Sequence, residues 1–138
     1  MIRKANAHWS GNLKEGNGTL TTASNILKKT NYSYKTRFED GAAGTNPEEL
    51  LAAAHAGCFT MAVAAMLTQK NITPTSLDTQ ATLTMEGLSI TNIHLSIAGL
   101  VPGITADDFN TITKDAEKNC LISKVLNIPI VSDAHLKS

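Results

Sequence analysis

The alternation of apolar and polar residues predicts most of the strands of this chain. Gly18–Ala23 and Tyr32–Phe38 alternate and are rich in β-forming residues, with a polar connection between them. Two longer alternating runs, Leu77–Glu86 and Ile90–Leu100, are separated by a short polar turn and predict an antiparallel hairpin. The last run, Ile128–Leu136, predicts a terminal strand at a sheet edge, because its proline cannot donate a hydrogen bond to a neighbouring strand.

Helix signals stand between these strands. Asn46 suits an N-cap, Pro47 the first helical position, and Glu49 the residue that closes a capping box. The helix that starts there is predicted to end near Gln69. A second helix is predicted to begin at Thr105–Asp108, where acidic residues match the helix dipole. Its apolar face follows spacings of three and four residues through Phe109, Ile112, Ala116 and Cys120.

The order of these elements predicts an α+β fold in a single domain over residues 1–138, with antiparallel sheets and a long central buried helix. The apolar run Leu50–Leu67 is almost long enough to span a membrane. Alanine dominates the run, polar residues interrupt it, and Gln69 and Lys70 follow it. We therefore expect a helix buried on nearly all sides in a soluble fold, with Phe59, Met61 and Met66 in the core.

Composition and charge exclude several classes of protein. Twelve basic and twelve acidic residues give a formal net charge of zero, so neither nucleic acid nor an anionic membrane is an expected partner. The N-terminal residues MIRKANAHW carry charge with no apolar segment behind them, which predicts a cytoplasmic protein without a secretory signal. Two distant cysteines do not make a disulfide-rich scaffold, and the four histidines show no zinc-ligand spacing with them.

The first cysteine raises the question of reactivity. Cys58 lies far beyond the first turn of its predicted helix, so the helix dipole does not activate its thiol. A cysteine in apolar surroundings is usually an inert core residue, and a reactive one needs a cation from elsewhere in the fold. The chain has two arginines, Arg3 and Arg37, and Arg37 is the better candidate for a cation that pairs with a carboxylate.

Two neighbouring carboxylates have different expected roles. Glu49 is assigned to the capping box, whereas Glu48 is either a solvated first-turn residue or a functional one. Glu48 precedes Cys58 by ten residues, or about 15 Å along a helix. A Glu48 that assists Cys58 must therefore come from a second chain or act through Arg37.

His55 precedes Cys58 by three residues and could share its helix face. A Cys-His pair suggests acyl transfer, but the sequence identifies no residue that would orient the imidazole. We therefore interpret His55 as an interior or interface polar group. Gly57, beside the thiol, has a low helix propensity, which favours a role in the close approach of another backbone or of a substrate.

Three parts of the chain carry a family pattern: RFEDGAAGTNPEELLAAAHAGCF from Arg37 to Phe59, NCLISKVLN from Asn119 to Asn127, and the closing strand. They resemble the OsmC/Ohr family of thiol peroxidases. The resemblance extends over essentially the whole chain. It is closer to the OsmC branch than to the organic hydroperoxide resistance branch, partly because the arginine stands just before the GTNPE block. It implies an intertwined homodimer with active sites shared between subunits.

The resemblance also assigns roles to four residues. Cys58 matches the peroxidatic cysteine, Cys120 the resolving cysteine, Arg37 the activating arginine, and Glu48 the carboxylate paired with that arginine. The implied substrates are organic hydroperoxides, which oxidise Cys58 to a sulfenic acid that Cys120 converts to a disulfide. The implied reductant is a dithiol of the lipoyl type. No cofactor and no metal is expected.

One residue departs from the family pattern. Leu121 stands where family members commonly have a proline directly after the resolving cysteine. Proline would stiffen the start of the next helix, so leucine bears on the rate of resolution more than on the peroxidatic step. Two other functions remain open at this point: a redox-sensing or small-molecule-binding dimer that does not turn over, and a structural dimer with inert thiols.

Overall fold

The computed structural model describes residues 1–137. The chain forms two compact units, Met1–Leu50 and Leu51–Ser138, and the boundary falls within a long helix. Both contain a small three-stranded sheet. The α+β class is therefore confirmed, whereas the assignment of residues 1–138 to one domain stays a prediction.

The first unit contains an antiparallel sheet in the order β1-β2-β3. Its strands are β1 (Ala5–Ser10), β2 (Asn17–Thr22) and β3 (Thr30–Tyr32). Only the β2 segment was individually predicted as a strand with nearly these bounds. The aromatic rings of Trp9 and Tyr32 contact each other across this sheet, with centroids 5.6 Å apart.

The strand predicted over Tyr32–Phe38 is wrong beyond Tyr32. Residues Tyr34–Phe38 form a short helix, α1, because a local capping box outweighs their β-propensity. The Thr36 N–H donates to Ser33 Oγ at 3.2 Å, and the Ser33 N–H donates to Thr36 Oγ1 at 2.8 Å. This box turns the chain just before Arg37 and places that arginine in the last turn of a helix instead of at the end of a strand.

The long helix, α2, spans Pro47–Gln69 as predicted. Asn46 caps it, since its Oδ1 accepts a hydrogen bond from the Glu49 N–H at 2.7 Å. The other half of the predicted capping box is absent. The Glu49 carboxylate instead accepts a hydrogen bond from the Thr45 hydroxyl at 2.7 Å, because that donor lies within reach in the residue just before the cap.

One face of α2 is buried, and its fully buried residues follow a spacing of four: His55, Phe59, Val63 and Leu67. Within this chain the helix is not buried on nearly all sides. Met61, predicted to lie in the core, is 75% exposed, whereas Phe59 is buried as expected. An apolar sequence without a polar face does not indicate which side will pack. The same length and composition would suit a membrane span, but the buried face of α2 packs as that of a core helix.

The second unit contains the predicted hairpin and closing strand. β4 (Ser76–Glu86) pairs antiparallel with β5 (Ser89–Leu100), and β6 (Ile130–Lys137) pairs with β5 at the edge of the sheet, as predicted. The β5–β6 pairing is parallel, so this sheet is mixed. Pro129 precedes β6, and its carbonyl accepts a hydrogen bond from the Ile93 N–H at 3.1 Å.

Between β5 and β6 lie α3 (Ala106–Asn119) and α4 (Leu121–Val125). The predicted apolar face of α3 is confirmed, because Phe109, Ile112, Ala116 and Cys120 all lie in the core of this unit. Cys120 itself lies between the two helices as the C-cap of α3 and the N-cap of α4. The apolar face of α3 thus ends at Cys120, and the same residue caps the start of α4.

We predict that Leu121→Pro stabilises the protein. Leu121 occupies the first position of α4, where proline suits the helix, and Cys120 has φ −64° and ψ 146°, which suits a residue before proline. Reduced entropy of the unfolded chain should raise the free energy of unfolding by about 0.4–1 kcal/mol in urea denaturation. Leu121→Ala is the matched control, since Leu121 is 74% exposed and its truncation alone should change little. A lower stability for Leu121→Pro than for Leu121→Ala would contradict the prediction.

We also predict a loss of stability in mild acid that depends on His55. This side chain is fully buried, and its burial lowers the pKa from the ordinary value of 6.5. The unfolded chain therefore binds a proton that the folded chain does not, so His55 destabilises the fold as the pH falls below 6.5 and not above it.

The measurement is the free energy of unfolding at about pH 7.5 and about pH 5.5 for the wild type and His55→Gln. The wild type should lose more stability than the variant over this interval, because only the wild-type unfolded chain gains a proton on His55. Equal losses in the two proteins would show that protonation of His55 does not oppose folding.

Candidate active site

Cys58 lies in the middle of α2 and is half-buried. It packs against the core of the second unit, but it is less enclosed than the sequence suggested. Among residues 1–137, no side chain or backbone group hydrogen-bonds to its sulfur. The thiol is free and sufficiently exposed for a small reagent to reach it.

Cys58 and Cys120 line the same cavity, although they are far apart in sequence. The cavity has a volume of about 510 Å³ and is bordered mainly by apolar side chains. Besides the two cysteines, its lining residues are Ala54, Met61, Ala62, Asn119, Leu121 and Ile122. Cys120 is 2% exposed and Cys58 is half-buried, so the two free thiols differ in access to solvent.

Cys120 has polar contacts that Cys58 lacks. Its Sγ lies 3.0 Å from Ser123 Oγ and accepts a hydrogen bond from the Ser123 N–H at 3.3 Å. This is the geometry of an N-cap, in which a side chain accepts from the third residue of the helix, here with sulfur in place of the usual oxygen. The start of α4 therefore fixes the Cys120 side chain.

His55 contacts Ser123 instead of the cysteine on its own helix. His55 Nε2 lies 2.7 Å from Ser123 Oγ, whereas His55 Nδ1 is buried without a hydrogen-bond partner among residues 1–137. Desolvation lowers the pKa of this imidazole, so it is neutral near pH 7. The interpretation of His55 as an interior polar group is correct, but only one of its nitrogens is satisfied within the chain.

Ser123 is a further residue of this site that the sequence pattern did not single out. It stands three residues after Cys120 at the start of a helix, and this spacing between a cap and its donor was the signal that could have identified it. No sequence pattern predicts its contact with His55, because the two residues are distant in sequence and meet only in the folded chain.

The predicted pair of Arg37 and Glu48 is present in the first unit. Arg37 Nε donates to Glu48 Oε1 at 2.8 Å, and Arg37 Nη2 lies 2.6 Å from the same oxygen. The other carboxylate oxygen, Oε2, is buried without a partner among residues 1–137. The arginine side chain is 44% exposed and the glutamate 11%, so the carboxylate is the better shielded member of the pair.

Aromatic side chains lie beside the arginine. Arg37 Cζ lies 5.5 Å from the centroid of the Phe38 ring, and Phe38 contacts the Tyr34 ring at 4.8 Å. A neighbouring cavity of about 250 Å³ is lined by Arg37, Pro47 and mainly aromatic or apolar residues: Trp9, Leu13, Tyr32, Ser33, Tyr34 and Phe38. The guanidinium thus borders a mainly apolar space.

The groups at the candidate site that can take part in chemistry are therefore the two thiols and the ion pair of Arg37 and Glu48. Among residues 1–137, no three His, Cys, Asp or Glu side chains come close enough together to hold a metal ion. What the arrangement offers chemically is nucleophilic sulfur in one unit and a cation fixed by a carboxylate in the other.

The chain is similar to proteins of one family. Residues 39–133 match the family model described as OsmC-like protein. The chain is 46% identical over 140 residues to Peroxiredoxin OsmC of Escherichia coli, and the alignment covers 99% of this chain and 97% of that protein.

Solved structures show the same fold at low sequence identity. An OsmC-like protein from Vibrio cholerae superposes with a TM-score of 0.75 at 16% identity, covering 97% of this chain and 99% of that one. An organic hydroperoxide resistance protein OsmC from Legionella pneumophila gives a TM-score of 0.69 at 18% identity, covering 100% and 98%. By sequence match over most of its length and by fold, this chain belongs to the OsmC family.

Proposed function

We propose that this protein is a thiol-dependent peroxidase that reduces organic hydroperoxides to alcohols. The observation that carries the proposal is the pair of free thiols on one apolar cavity, one half-buried and the other fully buried. The similarity to Peroxiredoxin OsmC supports peroxidase chemistry on hydroperoxides in general. The apolar lining supports the narrower choice of organic hydroperoxides, because the transfer of an alkyl or aryl group from water to an apolar surface is favourable.

The first step takes place at Cys58. Its thiolate attacks one peroxide oxygen, the O–O bond breaks, and the other oxygen leaves with a proton as the alcohol. Sulfur is oxidised to a sulfenic acid and the peroxide is reduced. Cys58 is the better candidate for this step because it is the more accessible of the two thiols.

The second step uses Cys120. Its sulfur attacks the Cys58 sulfenic acid, an S–S bond forms, and the hydroxyl group leaves as water. A dithiol, proposed to be of the lipoyl type, then reduces the disulfide by thiol exchange and returns both cysteines to the free form. The shared cavity supports this pairing, because a disulfide requires the two side chains to approach closely.

Arg37 and Glu48 are proposed to activate Cys58. An arginine remains charged at every relevant pH and stabilises a thiolate electrostatically. Two contacts to Glu48 Oε1 limit the orientations of the guanidinium, so less entropy is lost when it faces an anion. We further propose a cytoplasmic homodimer with shared active sites, in keeping with the family resemblance.

The first test is consumption of cumene hydroperoxide with dihydrolipoamide as the reductant. The wild type should consume many equivalents, because each disulfide is reduced again. Cys58→Ser should consume none, whereas Cys120→Ser should oxidise at Cys58 and then turn over more slowly than the wild type, because only the added dithiol can reduce its sulfenic acid.

The outcomes separate peroxidase from sensor. Consumption of about one equivalent by the wild type, with fast oxidation of Cys58, would indicate that the protein is a redox sensor and not an enzyme. Cys58 that remains reduced after exposure to the peroxide would contradict both functions. Hydrogen peroxide in place of cumene hydroperoxide tests the substrate class, and a faster reaction with it would contradict the organic preference.

A second prediction concerns the cation. Arg37→Met should slow the oxidation of Cys58 at neutral pH by about tenfold or more, because a nearby opposite charge stabilises the thiolate that attacks the peroxide. Stopped-flow measurement of sulfenic acid formation reports the rate. Lys35→Met is the matched control, since Lys35 lies on α1, is exposed and forms no ion pair among residues 1–137. Equal rates for the two variants would remove Arg37 from the mechanism.

A further inference from the structure

A line of polar groups runs from α2 to the buried thiol of Cys120. His55 Nε2 lies 2.7 Å from Ser123 Oγ, which in turn lies 3.0 Å from Cys120 Sγ. All three residues are buried, and no charged side chain among residues 1–137 hydrogen-bonds to any of them. The peroxidase steps proposed above use Cys120 but assign no role to His55 or Ser123.

The unpartnered nitrogen of His55 sets the direction of these hydrogen bonds. A neutral imidazole carries its hydrogen on one nitrogen. Nδ1 has no partner among residues 1–137 in either tautomer, but an unpaired buried N–H donor is rarer in folded proteins than an unpaired acceptor lone pair, so the tautomer with the hydrogen on Nε2 is favoured. A hydrogen on Nε2 is donated to Ser123 Oγ, and the Ser123 hydroxyl then directs its own hydrogen to Cys120 Sγ.

We infer that His55 and Ser123 form a relay of hydrogen bonds that holds Cys120 in place and favours its thiolate for attack on the Cys58 sulfenic acid. In this arrangement Cys120 Sγ accepts two hydrogen bonds from Ser123, one from the hydroxyl and one from the backbone N–H. Both strengthen when the sulfur carries negative charge. His55 and Ser123 are positioning residues, and their assignment rests on the proposed role of Cys120.

The relay provides hydrogen-bond donors that stabilise a thiolate at the buried Cys120. Cys120 is 2% exposed in apolar surroundings, where a thiolate lacks the stabilisation that water would give it. The relay supplies donors in place of water. The chemical balance is unchanged, because the Cys120 proton and the hydroxyl group of the sulfenic acid leave together as water when the S–S bond forms.

A disulfide probe tests the relay without any peroxide. The reduced full-length protein is mixed with dithiobis(nitrobenzoate), whose reaction with Cys58 releases one thionitrobenzoate and leaves a mixed disulfide. Attack by Cys120 on Cys58 then releases a second thionitrobenzoate. The wild type should therefore release two equivalents in two phases, and Cys120→Ser one equivalent in one phase.

The relay predicts how the second phase responds to substitution. Ser123→Ala should slow the second release about tenfold, the size expected for loss of a hydrogen bond to a charged group. Ser123→Thr, which keeps the hydroxyl, should restore most of the rate. His55→Leu should slow the same phase, and His55→Gln should recover part of it, because the glutamine amide can still donate. Thr60→Ala is the matched control, since it removes a partly buried hydroxyl of α2 that bonds to Thr79.

Nitrogen-proton correlation NMR gives a signature that a purely structural role would not produce. The reduced protein should show His55 neutral with its hydrogen on Nε2, assigned by loss of the signal in His55→Gln. The Nε2 resonance should shift in Ser123→Ala and remain unshifted in Thr60→Ala. A hydrogen on Nδ1 would overturn the direction of the relay.

The rate of the second thionitrobenzoate release tests the relay independently of the proposed peroxidase activity. A second release that is as fast in Ser123→Ala as in the wild type would overturn the relay, even if hydroperoxide turnover is observed. Only one equivalent released by the wild type would also overturn it, because Cys120 would not attack Cys58. A relay-dependent second release in a protein that consumes no hydroperoxide would uphold the relay and remove the peroxidase.

Discussion

The structure around the two thiols depends on the burial of Cys120 between α3 and α4. The apolar face of α3 carries this residue into the core, and its sulfur then accepts the Ser123 N–H that starts the next helix. One side chain thus satisfies a hydrophobic and a hydrogen-bonding requirement together. The same position places Cys120 on the cavity of Cys58 and Ser123 within reach of His55.

The two cysteines have contrasting surroundings, and the contrast suits the steps proposed for them. Cys58 is half-buried without hydrogen bonds to its sulfur among residues 1–137, so a small reagent can approach it, and the proposed mechanism assigns its activation to a cation. Cys120 is buried and held by Ser123, which suits a nucleophile that needs only to meet its partner on the same cavity.

The ion pair of Arg37 and Glu48 joins a partly exposed guanidinium to a largely buried carboxylate. Glu48 lies in the first turn of α2, where the helix dipole favours a carboxylate, so its position is well determined. Both contacts from Arg37 go to a single oxygen, and more than two fifths of the arginine side chain remains exposed at 44%. The glutamate therefore positions the guanidinium without enclosing it.

Local signals in the sequence determined the elements with strong caps and regular periods: α2 with Asn46, the β4–β5 hairpin, and the apolar face that ends at Cys120. The residue pattern, with the family resemblance, also identified the two thiols and the pair of Arg37 and Glu48. The sequence did not identify α1, because hydrogen bonds between Ser33 and Thr36 outweighed β-propensity. The exposed side of α2 and the contact of His55 with Ser123 were decided only by tertiary structure. Burial and hydrogen bonds between distant residues depend on which surfaces meet, and a linear pattern contains no such information.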